Sequence, residues 1–137
     1  MPEEYAILGL YASVLPAGDQ SPTFPFAGYV VNINVCTTIH RDRMDKLLCL
    51  VLALQDCEGG DLGIMEAGVC IQLRSGDMVL FRSHKFSHFN MHYKGRRASI
   101  VFHSDSAGSH WADSRNGWAD SDFLNFSTHS EGDLAQF

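Results

Sequence analysis

His40 and Asp42 stand two residues apart in the stretch TTIHRDRMD, residues 37–45. In extended chain, residues i and i+2 face the same side, so an imidazole and a carboxylate at this spacing converge on one point. Such a pair supplies two corners of a 2-His-1-carboxylate facial triad, which holds ferrous iron by three protein groups and leaves its other positions open. A fourth protein ligand would close the site and make it structural. His-Arg-Asp also opens the catalytic loop of protein kinases, where an asparagine five residues after the aspartate holds magnesium. That place is Leu47 here, and the chain has no Gly-rich phosphate loop, no V-A-I-K lysine and no D-F-G. The kinase reading is excluded. An H-x-D spacing alone is unspecific, so its weight depends on what else the chain can bring to it.

A second pair, Arg97 and Ser99, again shares one face of a strand. A guanidinium there can grip a carboxylate by two parallel hydrogen bonds, with the serine hydroxyl as an added donor. Four histidines compete to be the third ligand: His84, His88, His92 and His103. If residues 84–92 are extended, the first three face one way, and Asn90 shares that face. Asn90 and His92 are candidates to position a cosubstrate or substrate, or to fix a ligand's tautomer; the alternative is polar groups satisfied at a cavity mouth. Asn32 and Asn34 alternate with Val31, Ile33 and Val35; they either line a cavity on the side away from the metal or face water, and water is the preferred reading. Arg41 and Arg43 alternate with the candidate ligands and should point away from them, as surface charge, with phosphate contact as the alternative. Phe81 and Tyr93 are expected in the core.

These residues need elements to hold them. The chain has 137 residues, 45% hydrophobic and 19% charged, which suits one globular core and excludes a disordered tail. YVVNINVC (29–36) alternates and is β-branched, and LLCLVLAL (47–54) is a continuous apolar run bounded by charge. LGIME (62–66), VCIQL (69–73), MVLFRS (78–83) and ASIVFH (98–103) are short and separated by turn residues such as Gly59-Gly60 and Ser75-Gly76-Asp77. Short strands about ten residues apart, with no convincing helical period, predict an all-β sandwich or barrel. Residues 1–28, which contain all four prolines, read as an N-terminal loop wrapping onto the domain. Residues 29–105 form the core, and 106–137 a Ser/Asp/Gly-rich irregular C-terminal tail whose Trp111, Trp118, Phe123 and Phe126 are expected to pack on it.

Net charge is −6, which argues against general attraction to nucleic-acid backbones. Yet Arg82, His84, Lys85, His88, His92, Lys94, Arg96 and Arg97 fall within sixteen residues, so a local basic wall can coexist with an acidic body. Cys36, Cys49, Cys57 and Cys70 contain no C-x-x-C pair, and the expectation is buried free thiols in a reducing compartment. The acidic start is wrong for a secretory signal, and no run approaches the ~18 apolar residues of a membrane span. The expected location is intracellular, cytoplasmic or nuclear, with no membrane partner.

The order H-x-D, then G-G-x-L at 59–62, then G-D-x-x-x-F at 76–81, then His, then R-x-S resembles the double-stranded β-helix (jelly-roll) of iron- and 2-oxoglutarate-dependent dioxygenases. In finer wording, the stretch from HRD through EGGDLGIMEAGVCIQLRSGDMVLF to RRASIVFHSD is similar to the TET/JBP-like oxygenase domains found in many copies in mushroom-type fungi. The resemblance covers residues 29 to about 105. It implies an enzyme using Fe(II), 2-oxoglutarate and O2, with iron on His40, Asp42 and His88. It implies Arg97 on the distal carboxylate of 2-oxoglutarate, Ser99 assisting it, and Asn90 beside the cofactor. His88 is preferred because it precedes Arg97 by nine residues, the usual gap in such enzymes. The reaction implied couples decarboxylation of 2-oxoglutarate to oxidation of an unactivated C–H bond. In the TET/JBP-like case that bond is in the methyl group of a modified nucleobase such as 5-methylcytosine, with nucleic acid as partner. Two alternatives stay open: a minimal 2-oxoglutarate dioxygenase hydroxylating a small molecule or a protein side chain, and a non-catalytic β-sandwich relative. Oligomeric state is undetermined, though a barrel lacking covering helices could dimerise.

Overall fold

The structure, a computed structural model, describes residues 2–109; Trp111, Trp118, Phe123 and Phe126 of the expected tail lie outside the described residues. Among the described residues, seven strands form two antiparallel sheets. They are β1 (Gly28–Ile33), β2 (Cys49–Gly59), β3 (Leu62–Ile64), β4 (Val69–Ile71), β5 (Met78–Phe81), β6 (His88–Asn90) and β7 (Tyr93–His103). The four-stranded sheet has the order β1-β7-β2-β5 and the three-stranded sheet the order β4-β3-β6. Among the described residues the protein is therefore mostly antiparallel β-structure, as the spacing of short apolar runs predicts, and it forms two open sheets.

The long ladder of β2 on β7, from Leu50↔Phe102 to Gly59↔Tyr93, is the frame of the molecule. Strand β2 begins in a continuous apolar run because it is covered on both faces at that end, where alternation is not required. Cys49 and Ala53 join Leu62, Ile64, Leu73 and Phe81 in a core built from both sheets. Leu48 and Leu50 instead meet Leu8, Phe26, Leu47 and Phe102 in a second cluster. Full burial of one such large apolar side chain contributes about 1.5–3 kcal/mol.

The second cluster contains a helix where the sequence reads as loop. Residues Pro2–Ser13 form α1, with Pro at its first position and Glu3 and Glu4 in its first turn, both favourable there. Its apolar residues run around the helix with no stripe, since Tyr5, Ile7 and Leu10 are exposed while Leu8, Gly9 and Ala12 are buried. A helix without a stripe gives no 3.6-residue period to detect. Arg82 holds it through Glu4 at 2.7 Å, Lys46 Nζ lies 3.2 Å over the Tyr11 ring, and the Tyr11 hydroxyl bonds Ser109. No helix among the described residues is long and apolar enough to cross a membrane.

The four cysteines are free, but only Cys49 is buried; Cys57 is half-buried, and Cys36 and Cys70 are exposed. Burial pushes the Cys49 thiol up to about 12. The expectation of buried thiols fails for Cys36 because it lies past the end of β1, and for Cys70 because β4 is a short edge strand.

Candidate functional site

Between β1 and β2 the chain leaves regular structure and passes along β6, where His40 and His88 pair as an isolated antiparallel bridge. Each donates its backbone N–H to the other's carbonyl, at 3.0 and 2.9 Å. This exchange sets the two Cα atoms opposite each other and their side chains to one side. The Asp42 N–H donates to Ser83 O at 3.3 Å, just beyond β5, so the H-x-D segment is held at both ends by neighbouring backbone.

The rings are oriented as well as placed. His40 Nδ1 lies 2.7 Å from Thr38 O and His88 Nδ1 lies 3.0 Å from Phe86 O. A carbonyl only accepts, so these contacts assign the proton of each neutral imidazole to Nδ1 and leave the Nε2 lone pair free. Both Nε2 atoms turn to one carboxylate: His40 Nε2 is 3.6 Å from Asp42 Oδ1 and His88 Nε2 is 3.4 Å from Asp42 Oδ2. One ligand atom from each of the three residues lies within 4.8 Å of the others. Two groups about 2.1 Å from one ion lie about 3 Å apart when adjacent in its shell, so the donor set and spacing fit a divalent metal. The Phe81 ring stands edge-on to His88, centroids 5.0 Å apart, and closes the apolar side.

Without an ion, the cluster shares protons. The hydrogen bond from His88 holds the Asp42 carboxyl below its usual range, against partial burial. Burial works to lower His88, which is 8% exposed, but the Asp42 hydrogen bond and the Phe86 carbonyl outweigh it and raise the imidazole.

Arg97 lies on β7 and is 4% exposed. Asn34 fixes its backbone: the Arg97 N–H donates to Asn34 Oδ1 at 3.0 Å and its carbonyl accepts from Asn34 N at 2.7 Å. Asn34 takes a positive φ of 53°, a conformation its short polar side chain tolerates. The guanidinium itself is poorly satisfied. One Nη1 contact reaches Val35 O at 3.4 Å, and the buried Nε has no hydrogen-bond partner among the described residues. No carboxylate among the described residues forms an ion pair with it. A buried cation without an anion is costly, so this position fits a carboxylate-bearing ligand. Room for its side chain comes from Gly60, where a Cβ would lie 3.3 Å from Arg97 Cδ.

These groups share one cavity of about 270 Å³, lined by His40, Asp42, His88, Asn90, Arg97 and Ser99 and walled by Val51, Leu62 and Val101. Asn90 is held by Thr37, whose hydroxyl lies 3.0 Å from Asn90 Oδ1. All six candidate site residues are therefore brought together. His92 is not: β6 ends at Asn90, and His92 turns to solvent. His84 is half-buried away from the cavity, and its imidazole is lowered by burial and by Lys85 and Arg82. Of the two readings for Asn32, the preferred water-facing one fails and the cavity-lining one holds: it lines the cavity opposite Ser99 in the β1–β7 register.

Three further residues line the cavity: Thr37 and Asp45, which carry no sequence signal, and His103, which the sequence offers only as a competing third ligand. Thr37 has been described. Asp45 and His103 approach each other at 3.3 Å, with His103 Nδ1 near Asp45 Oδ1 but not aligned as a hydrogen bond. Ser83 donates its hydroxyl to Asp45 Oδ2 at 2.5 Å. Burial, aided by the neighbouring Asp42 charge, raises the Asp45 carboxyl. Asp45 reaches the site through a turn, its N–H donating to Asp42 O at 2.9 Å, and a turn breaks the two-residue period that marks His40 and Asp42.

The basic wall expected from residues 82–97 does not form as one surface. Arg82 pairs with Glu4, Arg96 approaches Asp56 at 3.5 Å, and Arg97 is buried.

No protein-family model matches the chain, and no curated protein matches it. Among solved structures, the chain is similar to NgTET1 in complex with 5mC DNA, with a TM-score of 0.66 and 13% sequence identity. The alignment covers 84% of this chain and 50% of that one, so the chain spans half the length of NgTET1 as solved. At this identity the likeness is one of fold: the chain shares the architecture of the matched part of NgTET1.

Proposed function

We propose that the protein is an Fe(II)- and 2-oxoglutarate-dependent dioxygenase, with residues 29–105 as a double-stranded β-helix core. The observation that carries the reading is the meeting, in one cavity, of two tautomer-locked histidines, a carboxylate and a buried guanidinium with no acidic partner among the described residues. His40, Asp42 and His88 would hold the metal, and Arg97 with Ser99 the distal carboxylate of 2-oxoglutarate. Bound iron would supply oxygen activation coupled to decarboxylation of 2-oxoglutarate to succinate. The chain's part is to hold and exclude. Thr38 and Phe86 carbonyls keep Nε2 of each histidine unprotonated in the neutral ring. Val51, Leu62, Phe81 and Val101 dry the cavity, and low local dielectric strengthens the grip of Arg97 on a carboxylate. Asp45 and His103 present a polar edge on the same cavity for substrate.

The proposed substrate is the methyl group of a modified nucleobase. The fold likeness to a protein solved with 5mC DNA supports this, and a base in a duplex would have to be flipped out to reach the cavity. A second reading, a small molecule or protein side chain, is favoured by the net charge of −6 and by the pairing of Arg82 and Arg96 with carboxylates. Both disfavour phosphate contacts.

Anaerobic titration of metal-free protein with Fe(II) and then 2-oxoglutarate tests the cofactor reading. A visible metal-to-ligand charge-transfer band is expected in the parent, absent in His88→Ala, and needing at least tenfold more 2-oxoglutarate in Arg97→Ala. A folded parent without the band would overturn it. Turnover of methylated oligonucleotides against free nucleosides and peptides then separates the two substrate readings.

A further inference from the structure

Arg41 sits between His40 and Asp42 and, by alternation, projects to the side they do not use. Its guanidinium meets two groups there. Nη2 lies 2.6 Å from Glu66 Oε1, and Nε donates to Ser87 Oγ at 2.9 Å. Glu66, in the turn between β3 and β4, accepts twice more from the same serine: Ser87 N–H donates to Oε2 at 2.7 Å and the Ser87 hydroxyl to Oε1 at 2.7 Å. The three side chains thus close a ring. Ser87 directly precedes His88, and its carbonyl accepts from Met65 N at 2.9 Å, so the turn carrying Glu66 is stitched to the same residue.

An exposed ion pair contributes little to stability, and Arg41 and Glu66 side chains are 44% and 34% exposed. Net stability is therefore not the main consequence of this ring. Its location is. The two ligand-bearing segments meet in backbone pairing only at the isolated His40–His88 bridge, with no ladder extending it on either side. Thr37 adds side-chain hydrogen bonds to Asn90 on the cavity side, and the ring spans the segments from the outer side. Hydrogen bonds from Ser87, and then Arg41, hold the Glu66 carboxyl down at about 2, so it stays charged in ordinary buffers.

We propose that Arg41, Glu66 and Ser87 act as a positioning clamp that fixes the separation of His40 and Asp42 from His88 and so tunes the affinity of the cluster for a divalent ion. This rests on the metal site proposed above. None of the three touches the ion's position; they act through the histidines and the aspartate.

The test uses the full chain and the variants Arg41→Ala, Arg41→Lys and Glu66→Gln. Mn(II) affinity is read from the electron paramagnetic resonance of free ion, thermal midpoint from metal-free protein, and amide exchange residue by residue. Arg41→Ala and Glu66→Gln are expected to weaken Mn(II) binding about tenfold, the lower end of what loss of a ligand-orienting partner costs. Exchange should accelerate at the His40 and His88 amides while the β2–β7 ladder and the midpoint hold. Arg41→Lys should fall between, since it can keep the Glu66 ion pair but loses the Nε bond to Ser87. Unchanged affinity and exchange would overturn the proposal. So would acceleration spread over the whole chain with a lowered midpoint, the sign of a plain surface stabiliser. If the parent binds no Mn(II), the metal reading fails by itself, and exchange alone judges the clamp: local acceleration at His40 and His88 supports it, and its absence overturns it.

Discussion

An imidazole that binds a metal must offer an unprotonated nitrogen, so the affinity of His40, Asp42 and His88 for an ion is tied to pH. His88 is raised above its ordinary 6.5 by Asp42 and the Phe86 carbonyl, which together outweigh burial. Its contribution to the stability of metal-free protein is present below 6.5 and is lost as pH rises through the raised value. Asp42 is lowered from 3.8, so its contribution is present above 3.8 and is lost as pH falls through the lowered value. The metal-free pair is thus most stabilising between these limits, where a metal must displace the His88 proton. Mn(II) affinity is expected to keep rising with pH beyond 6.5 and to level off above the His88 value. Isothermal titration across pH in the parent checks this; a plateau already reached below 6.5 would count against the His88–Asp42 coupling.

The turn at Gly59-Gly60 joins β2 to β3 and decides whether Arg97 fits. Both glycines have φ +79°, which a side chain adopts only with strain of order 1–3 kcal/mol. Their surroundings differ. A Cβ on Gly59 would lie 2.5 Å from His92 O, whereas one on Gly60 meets Arg97 Cδ and Tyr93 Cβ at 3.3 Å. Gly59→Ala should therefore be the more destabilising, by about 3 kcal/mol or more. Gly60→Ala should cost about 1–2 kcal/mol and also raise the 2-oxoglutarate concentration needed for the charge-transfer band several-fold. Urea denaturation and the band titration read the two effects separately. Equal loss of ligand affinity in both variants would argue that the turn, and not the space beside Arg97, matters.

Across the four-stranded sheet, register aligns three apolar rows on the face away from the cavity: Tyr29, Phe102, Leu50 and Leu80; Val31, Ile100, Leu52 and Met78; Ile33, Ala98 and Leu54. Helix α1, Phe26 and Leu48 cover the first row at Leu50 and Phe102. The far rows remain open, with Ile33 68% and Met78 66% exposed. Stability should follow this cover and not side-chain hydrophobicity. Leu48→Ala is expected to cost about 2–4 kcal/mol in chemical denaturation, and Ile33→Ala or Met78→Ala about 0.5 kcal/mol or less. Similar losses at both ends would mean the open rows are covered in solution.

Local pattern is what the sequence by itself determined. Two-residue alternation aims His40 and Asp42 to one side and Arg41 to the other, and apolar runs cut by turn residues mark six of the seven described strands, all but β6. These are properties of a few consecutive residues, and backbone geometry alone enforces them. Tertiary structure decided whatever depends on a distant partner. That His88 and not His92 turns inward follows from its bridge to His40, forty-eight residues earlier, and from the end of β6 at Asn90. Asn32 faces the cavity because β1 pairs with β7, and Asp45 and His103 meet only after a turn and a long strand converge. Helix α1 has no apolar stripe to announce it and gains its place from Phe26, Leu48 and Arg82. Periodicity records which side a residue faces, but only non-local pairing supplies what stands on that side.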